Sequence, residues 1–226
     1  MKGAPSDYLK VFQMDGLFPD NVQQQMKLRT YPAGRKLLTQ GEDATAMLIL
    51  VEGKVKVSML SPEGKRLILA FKTPLDIVGD VEYISNGPLI NTVESVMNTT
   101  VIEIPYTILR HEMAHNAAWL QFLLETITKK FELKSHTMNF NSLYPVDVRV
   151  ASYLLSMTPV NEKMESASLV DMADLIGTSY RHLNRVLSQF QKEGWITKSR
   201  GSIEILNRAS ILELAGENIY EKGDER

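Results

Sequence analysis

Hydrophobic and polar positions follow two different periods along this chain, and the first period is that of β-strands. It extends over residues 28–105, where residues 47–51 are apolar throughout, as in a buried strand. Residues 54–60 then alternate polar with apolar side chains, and the turn signal at residues 61–65 separates them from a partner strand at residues 66–72. Short strands divided by glycine and proline turns predict a small barrel or sandwich.

A helical period follows from Tyr106 to about Phe140, and no glycine or proline interrupts it before Leu143. Six positions are spaced alternately by four and three residues, as in a coiled-coil seam: Leu120, Leu124, Ile127, Phe131, Lys134 and Met138. This spacing favours a dimerisation helix whose first four seam residues contact a second copy of the chain. The alternative is a helix that lies on its own domain.

The segment from Ser168 to Asn207 carries the most specific pattern in the sequence. Ser168 and Asp171 resemble a capping box at the start of one helix, and Gly177 suits the left-handed residue after its end. The next helix has apolar residues on one face, at Leu183, Val186, Leu187 and Phe190. Two helices around a short glycine turn predict a helix-turn-helix.

Two strands at residues 195–198 and 202–206 predict a hairpin, or wing, after this motif. Between Thr178 and Arg208 there are six basic and two acidic residues, a balance of +4 within a chain of net charge −2. A local basic surface indicates binding to double-stranded DNA; the alternative is an ordinary solvated helix face. The side chains predicted to contact DNA are Thr178, Ser179, Tyr180, Arg181, Asn184, Arg185, Lys198 and Arg200.

The composition and the apolar runs of the chain exclude several classes of protein. The chain has 226 residues, of which 44% are hydrophobic and 23% charged, as in an ordinary globular protein. It has no cysteine, which excludes disulfides, thiolate zinc sites and cysteine-held iron–sulfur clusters. The longest apolar run is residues 46–51, and the first residues lack the apolar core of a signal peptide. We therefore expect a cytoplasmic protein with no membrane partner.

These motifs together resemble the CRP/FNR superfamily of bacterial transcription regulators over essentially the whole chain. Residues 52–57 and 62–66 are similar to the β-roll hairpin of that family, and the helix from Asn116 is similar to its dimerisation helix. Residues 171–187 are similar to its DNA-reading motif, and the sequence Ser-Tyr-Arg-His-Leu from Ser179 resembles the YeiL-type branch.

The resemblance implies an α+β chain with three parts. Residues 1–110 form an antiparallel β-roll sensor of the cyclic-nucleotide-binding type with flanking helices. Residues 111–142 form a dimerisation helix, and residues 143–226 form a winged helix-turn-helix. The family implies a homodimer that binds a roughly palindromic operator and contacts RNA polymerase, and residues 140–143 are the candidate hinge.

The sequence departs from the cyclic-nucleotide-binding members at the effector pocket. The candidate pocket residues are Gly79, Asp80, Val81, Leu89, Ile90, Asn91 and Thr92. They stand where those members carry Gly-Glu-Leu and an Arg-Ser/Thr pair that grips the cyclic phosphate. No arginine lies between Arg66 and Arg110, and a buried phosphate needs charge-assisted donors. We predict no control by cyclic AMP or cyclic GMP; the effector, if one exists, is unknown, and no other cofactor is implied.

A second departure lies in the reading helix. Family members commonly carry Arg-Glu after the serine and a further Arg four residues later, whereas this chain has Tyr180, Arg181 and Arg185 at those positions. Because arginine donates to guanine and glutamate accepts from cytosine, we expect a different half-site, read mainly by Arg181 and Arg185. Thr178 and Ser179, with the wing residues, are expected to hold backbone phosphates.

Two readings compete with a DNA-binding regulator that is not an enzyme. His111-Glu112-Met113-Ala114-His115 matches H-E-x-x-H, which on a helix would place two zinc ligands and a general base as in a metallopeptidase. The bland alternative is a charged helix segment before a new helix, which Asn116 would cap. The other competing reading is a ligand-binding regulatory module that does not bind DNA.

Overall fold

In a computed structural model, the chain is described over residues 3–62, 64, 66–158, 163–165, 168–199 and 201–216. Its contacts divide it into two compact units, Met1–Phe131 and Glu132–Arg226. Each unit has a hydrophobic core of its own. Within the described ranges, no helix combines the length and the apolar character that a bilayer crossing requires.

The first unit surrounds antiparallel strands with short helices. Its helices are α1 (Pro5–Val11), α2 (Asp20–Gln23), α3 (Asp80–Ser85) and α4 (Tyr106–Glu112), with a 3-10 turn at Asp15–Leu17. Its strands are β1 (Lys27–Tyr31), β2 (Lys36–Leu38), β3 (Ala46–Glu52), β4 (Val55–Leu60), β5 (Arg66–Lys72), β6 (Ile77–Val78), β7 (Thr92–Ser95) and β8 (Thr99–Pro105). They form two four-stranded antiparallel sheets, in the orders β1-β8-β3-β6 and β2-β7-β4-β5. The antiparallel roll that the family resemblance implied is confirmed.

Strand β3 has an apolar core on each of its faces. Leu48 and Leu50 pack with residues of β4, β7 and β8 between the two sheets. Met47, Ile49 and Val51 point to the opposite face, where they pack with residues from α1, α4 and the helix that follows. Burial on both faces explains why this strand is apolar at every position rather than at alternate ones.

The hairpin predicted from alternation is also present, because β4 pairs with β5 from Val55↔Lys72 to Leu60↔Arg66. Its turn includes Glu63 and Lys65, which lie outside the described residues. Gly53, before β4, has a φ of +90° and lies against Asn98 and Thr99. A Cβ at this position would lie 2.8 Å from the Thr99 Cα atom, so only glycine suits the turn.

The helical segment from Tyr106 to about Phe140 consists of two helices, so the dimerisation helix does not begin at residue 111 as predicted. Helix α4 ends at Glu112, and α5 (Ala117–Leu143) begins after a turn. Asn116 caps the new helix, since its Oδ1 accepts a hydrogen bond from the Trp119 backbone amide at 3.0 Å. Met113 before the turn and Trp119 after it are both fully buried, so the chain turns where both side chains reach the core.

In its described residues, the second unit contains the end of α5, four further helices and a small sheet. Its remaining elements are α6 (Val146–Met157), β9 (Lys163–Glu165), α7 (Leu169–Ile176), α8 (Tyr180–Lys192), β10 (Ile196–Ser199), β11 (Ser202–Ile205) and α9 (Arg208–Ala215). The sheet order is β10-β11-β9, and both pairs are antiparallel. The wing hairpin is therefore confirmed, and β9 is a third strand that the sequence pattern did not indicate.

Candidate DNA-binding surface

Helices α7 and α8 are joined by a short turn whose backbone groups are capped on both sides. The Ser168 hydroxyl accepts from the Asp171 amide at the start of α7, and the Ser179 hydroxyl accepts from the His182 amide at the start of α8. Gly177 has a φ of +71°, and the amide of Thr178 after it donates to the Ala173 carbonyl at 2.9 Å. This is the predicted helix-turn-helix corner.

Helix α8 has a buried apolar face and an exposed polar one. The predicted core residues Leu183, Val186, Leu187 and Phe190 are all buried. On the other side, Tyr180, Arg181 and Arg185 are exposed and Asn184 is half-buried. Two guanidinium groups and a phenol therefore project from the first turns of this helix, which is the part that enters the major groove in helix-turn-helix proteins.

The wing is linked to this exposed face by one hydrogen bond that local patterns did not reveal. The Lys198 Nζ, on β10, donates to the Asn184 Oδ1 at 2.8 Å. The Asn184 Nδ2 in turn donates to the Tyr180 carbonyl at 3.3 Å. An ammonium has three protons, so Lys198 keeps donors for a phosphate while it holds the wing against α8. Arg200, the other predicted wing contact, lies outside the described residues.

Arg208, like Lys198 one of the six basic residues counted in this segment, also has a structural contact. The Arg208 Nη1 donates to the Thr158 carbonyl at 2.8 Å, after the end of α6. It therefore caps a carbonyl group within its own unit. Among the described residues from Thr178 to Arg208, the exposed basic side chains are Arg181, Arg185 and Lys192.

Helix α5 is apolar on two sides within the first unit. Trp119 and Leu123 are buried in its core. On the other side, Leu120, Leu124 and Phe131 are 48%, 68% and 70% exposed, and Ile127 is half-buried. These four are the predicted seam residues, and their own unit leaves three of them largely uncovered.

The segment predicted to begin the effector pocket is connected to α5 by a buried ion pair. The Lys130 Nζ lies 2.7 Å from both carboxylate oxygens of Asp80 and 2.7 Å from the Ile77 carbonyl oxygen. The Asp80 side chain is only 3% exposed. Its carboxylate is therefore bound by a lysine of the same chain. Local sequence patterns do not indicate this pair, because 50 residues separate its members.

Gly79, beside Asp80, is held by close backbone contact. Its φ is +88°, and a Cβ would lie 2.9 Å from the Ala46 carbonyl oxygen. The Tyr106 hydroxyl donates to the Gly79 carbonyl. Burial raises the pKa of the Tyr106 phenol, and the nearby carboxylates of Glu82 and Asp80 raise it further. This phenol stays a hydrogen-bond donor at neutral pH.

The other predicted pocket residues have mixed surroundings. Val81 and Ile90 are exposed, whereas Leu89 is buried. Asn91 and Thr92 are half-buried, and the Thr92 hydroxyl accepts from the Gln40 amide at 3.1 Å. These side chains provide no cation of their own for a buried phosphate.

A separate polar cavity of about 300 Å³ lies beside α3 and contains none of the predicted pocket residues. It is lined by Asp43, Ala44, Glu82, Asn86, Gly87, Pro88 and Arg110. The Arg110 guanidinium donates to the Asn86 side chain and the Tyr83 carbonyl, and it lies over the Tyr83 and Tyr106 rings. The fold therefore brings an arginine next to a segment whose own sequence has none.

The H-E-x-x-H motif does not have the geometry that zinc catalysis requires. Its first histidine, His111, is in the last turn of α4, whereas His115 follows the end of that helix. The two imidazoles therefore do not share a helical face. The His111 Nδ1 lies 2.7 Å from the Glu112 Oε1, and the Asn21 Nδ2 donates to the Glu112 Oε2. Among the described residues, no group of three or more potential ligands is placed to hold a metal ion.

Comparison with known proteins agrees with this arrangement. Residues 28–116 match the family model of the cyclic nucleotide-binding domain, and residues 148–214 match that of the Crp-like helix-turn-helix domain. The chain is 24% identical over 194 residues to a CRP-like cAMP-activated global transcriptional regulator of Mycobacterium tuberculosis, covering 81% of this chain and 86% of that one. It is 23% identical over 201 residues to the regulatory protein YeiL of Escherichia coli, covering 88% and 90%.

Solved structures show the same fold. A transcriptional regulator of the CRP/FNR family from Eubacterium rectale has a TM-score of 0.80 and 21% identity, covering 92% of this chain and 99% of that one. A roll of the cyclic-nucleotide-binding type, a long helix and a winged helix-turn-helix define a class of transcription regulators that join a sensor to a DNA reader. Within that class, the chain belongs to the CRP/FNR superfamily.

Proposed function

We propose that this regulator acts as a homodimer that reads a roughly palindromic DNA operator without control by cyclic AMP. The observation that supports sequence-specific reading is the exposed face of α8. Tyr180, Arg181 and Arg185 project from it, while its apolar face is buried. Arginine donates twice to the guanine edge in the major groove, so Arg181 and Arg185 are the proposed base readers.

Contacts to the DNA backbone would position this helix. Thr178 and Ser179 lie at the start of α8, where free amides and the helix dipole favour a phosphate. Lys198 on the wing is the proposed outer phosphate contact, and Asn184 would hold it in place. Phosphate contacts fix the register on the duplex, and base contacts select its sequence.

The exposed apolar side of α5 supports a dimer with a second copy of the chain. Leu120, Leu124, Ile127 and Phe131 are spaced as in a coiled coil, and three of them are about half or more exposed in one copy. In a two-fold dimer, the two α8 helices would read half-sites about 34–36 Å apart. Leu124→Glu and Phe131→Glu should produce monomers in sedimentation equilibrium, whereas Lys129→Glu, at an exposed position outside the seam, should remain dimeric.

Independence from cyclic AMP is proposed from the contacts around the predicted effector pocket. The Lys130 ammonium, a cation beside Gly79-Asp80-Val81, is bound to Asp80 and the Ile77 carbonyl. A cyclic phosphate would have to displace those contacts, and the segment from residue 89 to 92 offers no charged donor in exchange. The relative from M. tuberculosis is described as cAMP-activated, so calorimetric titration of this chain with cyclic AMP tests the difference. Micromolar binding would contradict the proposal.

The operator is tested by selecting duplexes from a randomised library with the purified, ligand-free protein at a fixed salt concentration. The proposal predicts enrichment of a palindrome whose half-sites are about one helical turn apart. Enrichment of a single, non-repeated site would contradict dimeric reading. Loss of binding to all duplexes, with and without added cyclic AMP, would contradict DNA reading itself.

Membership of the CRP/FNR superfamily also supports a cytoplasmic role and a contact with RNA polymerase. The polymerase contact is tested with a promoter that carries the selected operator. Wild-type protein and purified polymerase should bind this promoter cooperatively in a gel-shift titration. Independent binding of the two would exclude a direct contact on that promoter.

A further inference from the structure

Helix α6 has a buried arginine that donates to the turn between α7 and α8. Arg149 is 8% exposed, so its guanidinium cannot be a DNA contact. Its Nη1 donates to the Ile176 carbonyl at 2.6 Å, at the last residue of α7, and lies 3.5 Å from the Gly177 carbonyl oxygen. These carbonyl groups form the negative end of α7, where a cation is favourable.

A second polar side chain meets the same turn from α5. A Cβ built on Gly177 would lie 3.5 Å from the Arg149 Nη1 and 3.8 Å from the Asn141 Nδ2. Gly177 is therefore bordered by Arg149 and Asn141. Asn141 precedes, and Arg149 follows, the short connection at Tyr144 and Pro145 between the end of α5 and the start of α6.

This contact leaves hydrogen-bonding capacity unused. Within the described part of the chain, the Asn141 Oδ1 and the Arg149 Nε are both buried and have no hydrogen-bond partner. One is an acceptor and the other a donor. An unsatisfied buried polar atom is costly, and a hydrogen bond between a donor and an acceptor of this kind would remove that cost.

We propose that Arg149 is a positioning residue for DNA recognition, which holds the α7–α8 turn and links it through Asn141 to the end of α5. This inference rests on the proposed function, because it explains how the orientation of α8 is set. Arg181 and Arg185 read bases only if α8 enters the groove at the right angle. Arg149 holds the turn from which α8 starts. Asn141 makes the position of this turn depend on the position of α5.

The test compares operator discrimination with stability in the full-length protein. For each variant, the ratio of nonspecific to operator dissociation constants is measured on a duplex selected by the wild type and on a scrambled duplex. Binding is measured at a temperature at which circular dichroism shows that every variant is folded. Arg149→Met should lower the ratio about tenfold or more, since it removes hydrogen bonds from a charged donor. Arg149→Lys, which keeps a cationic donor, should recover part of the loss and serves as the measurement if Arg149→Met does not fold.

A matched control separates positioning from stability. Arg208→Met also removes an arginine that donates to a carbonyl in the same unit, so it should lower the melting temperature and leave the ratio unchanged. A normal ratio in Arg149→Met, together with a lowered melting temperature, would reduce Arg149 to a stabilising residue and overturn the inference.

Asn141 is tested by its dependence on Arg149. Asn141→Ala should lower the ratio several-fold in the wild-type background and have no further effect in Arg149→Met. Additive effects would overturn the link to α5. A wild-type ratio near one would instead contradict the proposed function, which keeps the two failures distinguishable.

Discussion

Removing the Lys130 ammonium should destabilise the first unit far more than removing any exposed lysine of the same helix. Lys130→Met keeps the aliphatic stem but deletes three contacts of 2.7 Å, two to Asp80 and one to the Ile77 carbonyl. It also leaves the Asp80 carboxylate, 3% exposed, without its cation. Breaking a buried pair in this way costs about 3–5 kcal/mol. Because the Lys130 side chain is 27% exposed, we expect the lower end, about 3 kcal/mol.

The two tryptophans make this measurement specific to one unit. Trp119 lies in the core of the first unit and Trp195 packs on the core of the second. In a Trp195→Phe background, fluorescence during urea unfolding therefore reports on the first unit. Lys129→Met is the matched control, since Lys129 is exposed on the same helix, and its effect should stay within about 0.5 kcal/mol.

A double-mutant cycle completes the argument. Asp80→Asn in the Lys130→Met background removes the unpaired charge, so the double variant should be more stable than Lys130→Met alone. If Lys130→Met unfolds at the same urea concentration as Lys129→Met, the ion pair contributes nothing and the reasoning fails. If Asp80→Asn brings no recovery, the loss comes from packing instead of charge.

Three other predictions concern separate parts of the chain. Gly53→Ala should destabilise the first unit more than Gly34→Ala in the same unfolding assay, because both have positive φ but only Gly53 would press a Cβ against backbone; equal losses of about 1–2 kcal/mol would leave only conformational strain. The Tyr8 hydroxyl bond holds the pKa of Glu52 below its usual range, so this bond stabilises the fold above about pH 4.3 and the gain is lost as pH falls. Tyr8→Phe should flatten the dependence of stability on pH in that range, and an unchanged slope would refute the assignment. Arg181→Ala should cost about 1–3 kcal/mol of operator binding and relax base preference at one position, whereas Lys192→Ala, at the far end of α8, should leave base preference intact; uniform weakening on all sequences would make Arg181 a phosphate contact.

Features that depend on neighbouring residues were predictable from the sequence. The corner at Gly177 needs a left-handed residue and two serine caps, all within a dozen positions. The β4–β5 hairpin follows from alternation on either side of one turn. The apolar run of β3 indicated a buried strand because both of its faces meet a core.

Features that depend on distant residues were not predictable in the same way. The break before α5 arises because Met113 and Trp119 both reach the core. Periodicity does not reveal it, although the cap at Asn116 was offered as an alternative. Strand β9 has three residues and pairs with β11 about 40 positions later. Lys130 and Arg149 looked like ordinary helix residues, since their partners Asp80 and Ile176 are far away in the chain.

The two-faced burial of β3 has a consequence for how the roll assembles. In most strands a slip of one residue turns apolar side chains toward water, and that cost enforces the correct register. In β3 both faces are apolar from Met47 to Val51, so a slipped strand would lose little hydrophobic burial. Correct pairing must be enforced at the end of the strand, where the pairing with β8 shifts between Leu50 and Glu52 and Gly53 turns tightly against Asn98. We expect this short corner to set the register of β3, so substitutions there should increase misfolding more than they lower the stability of the folded chain.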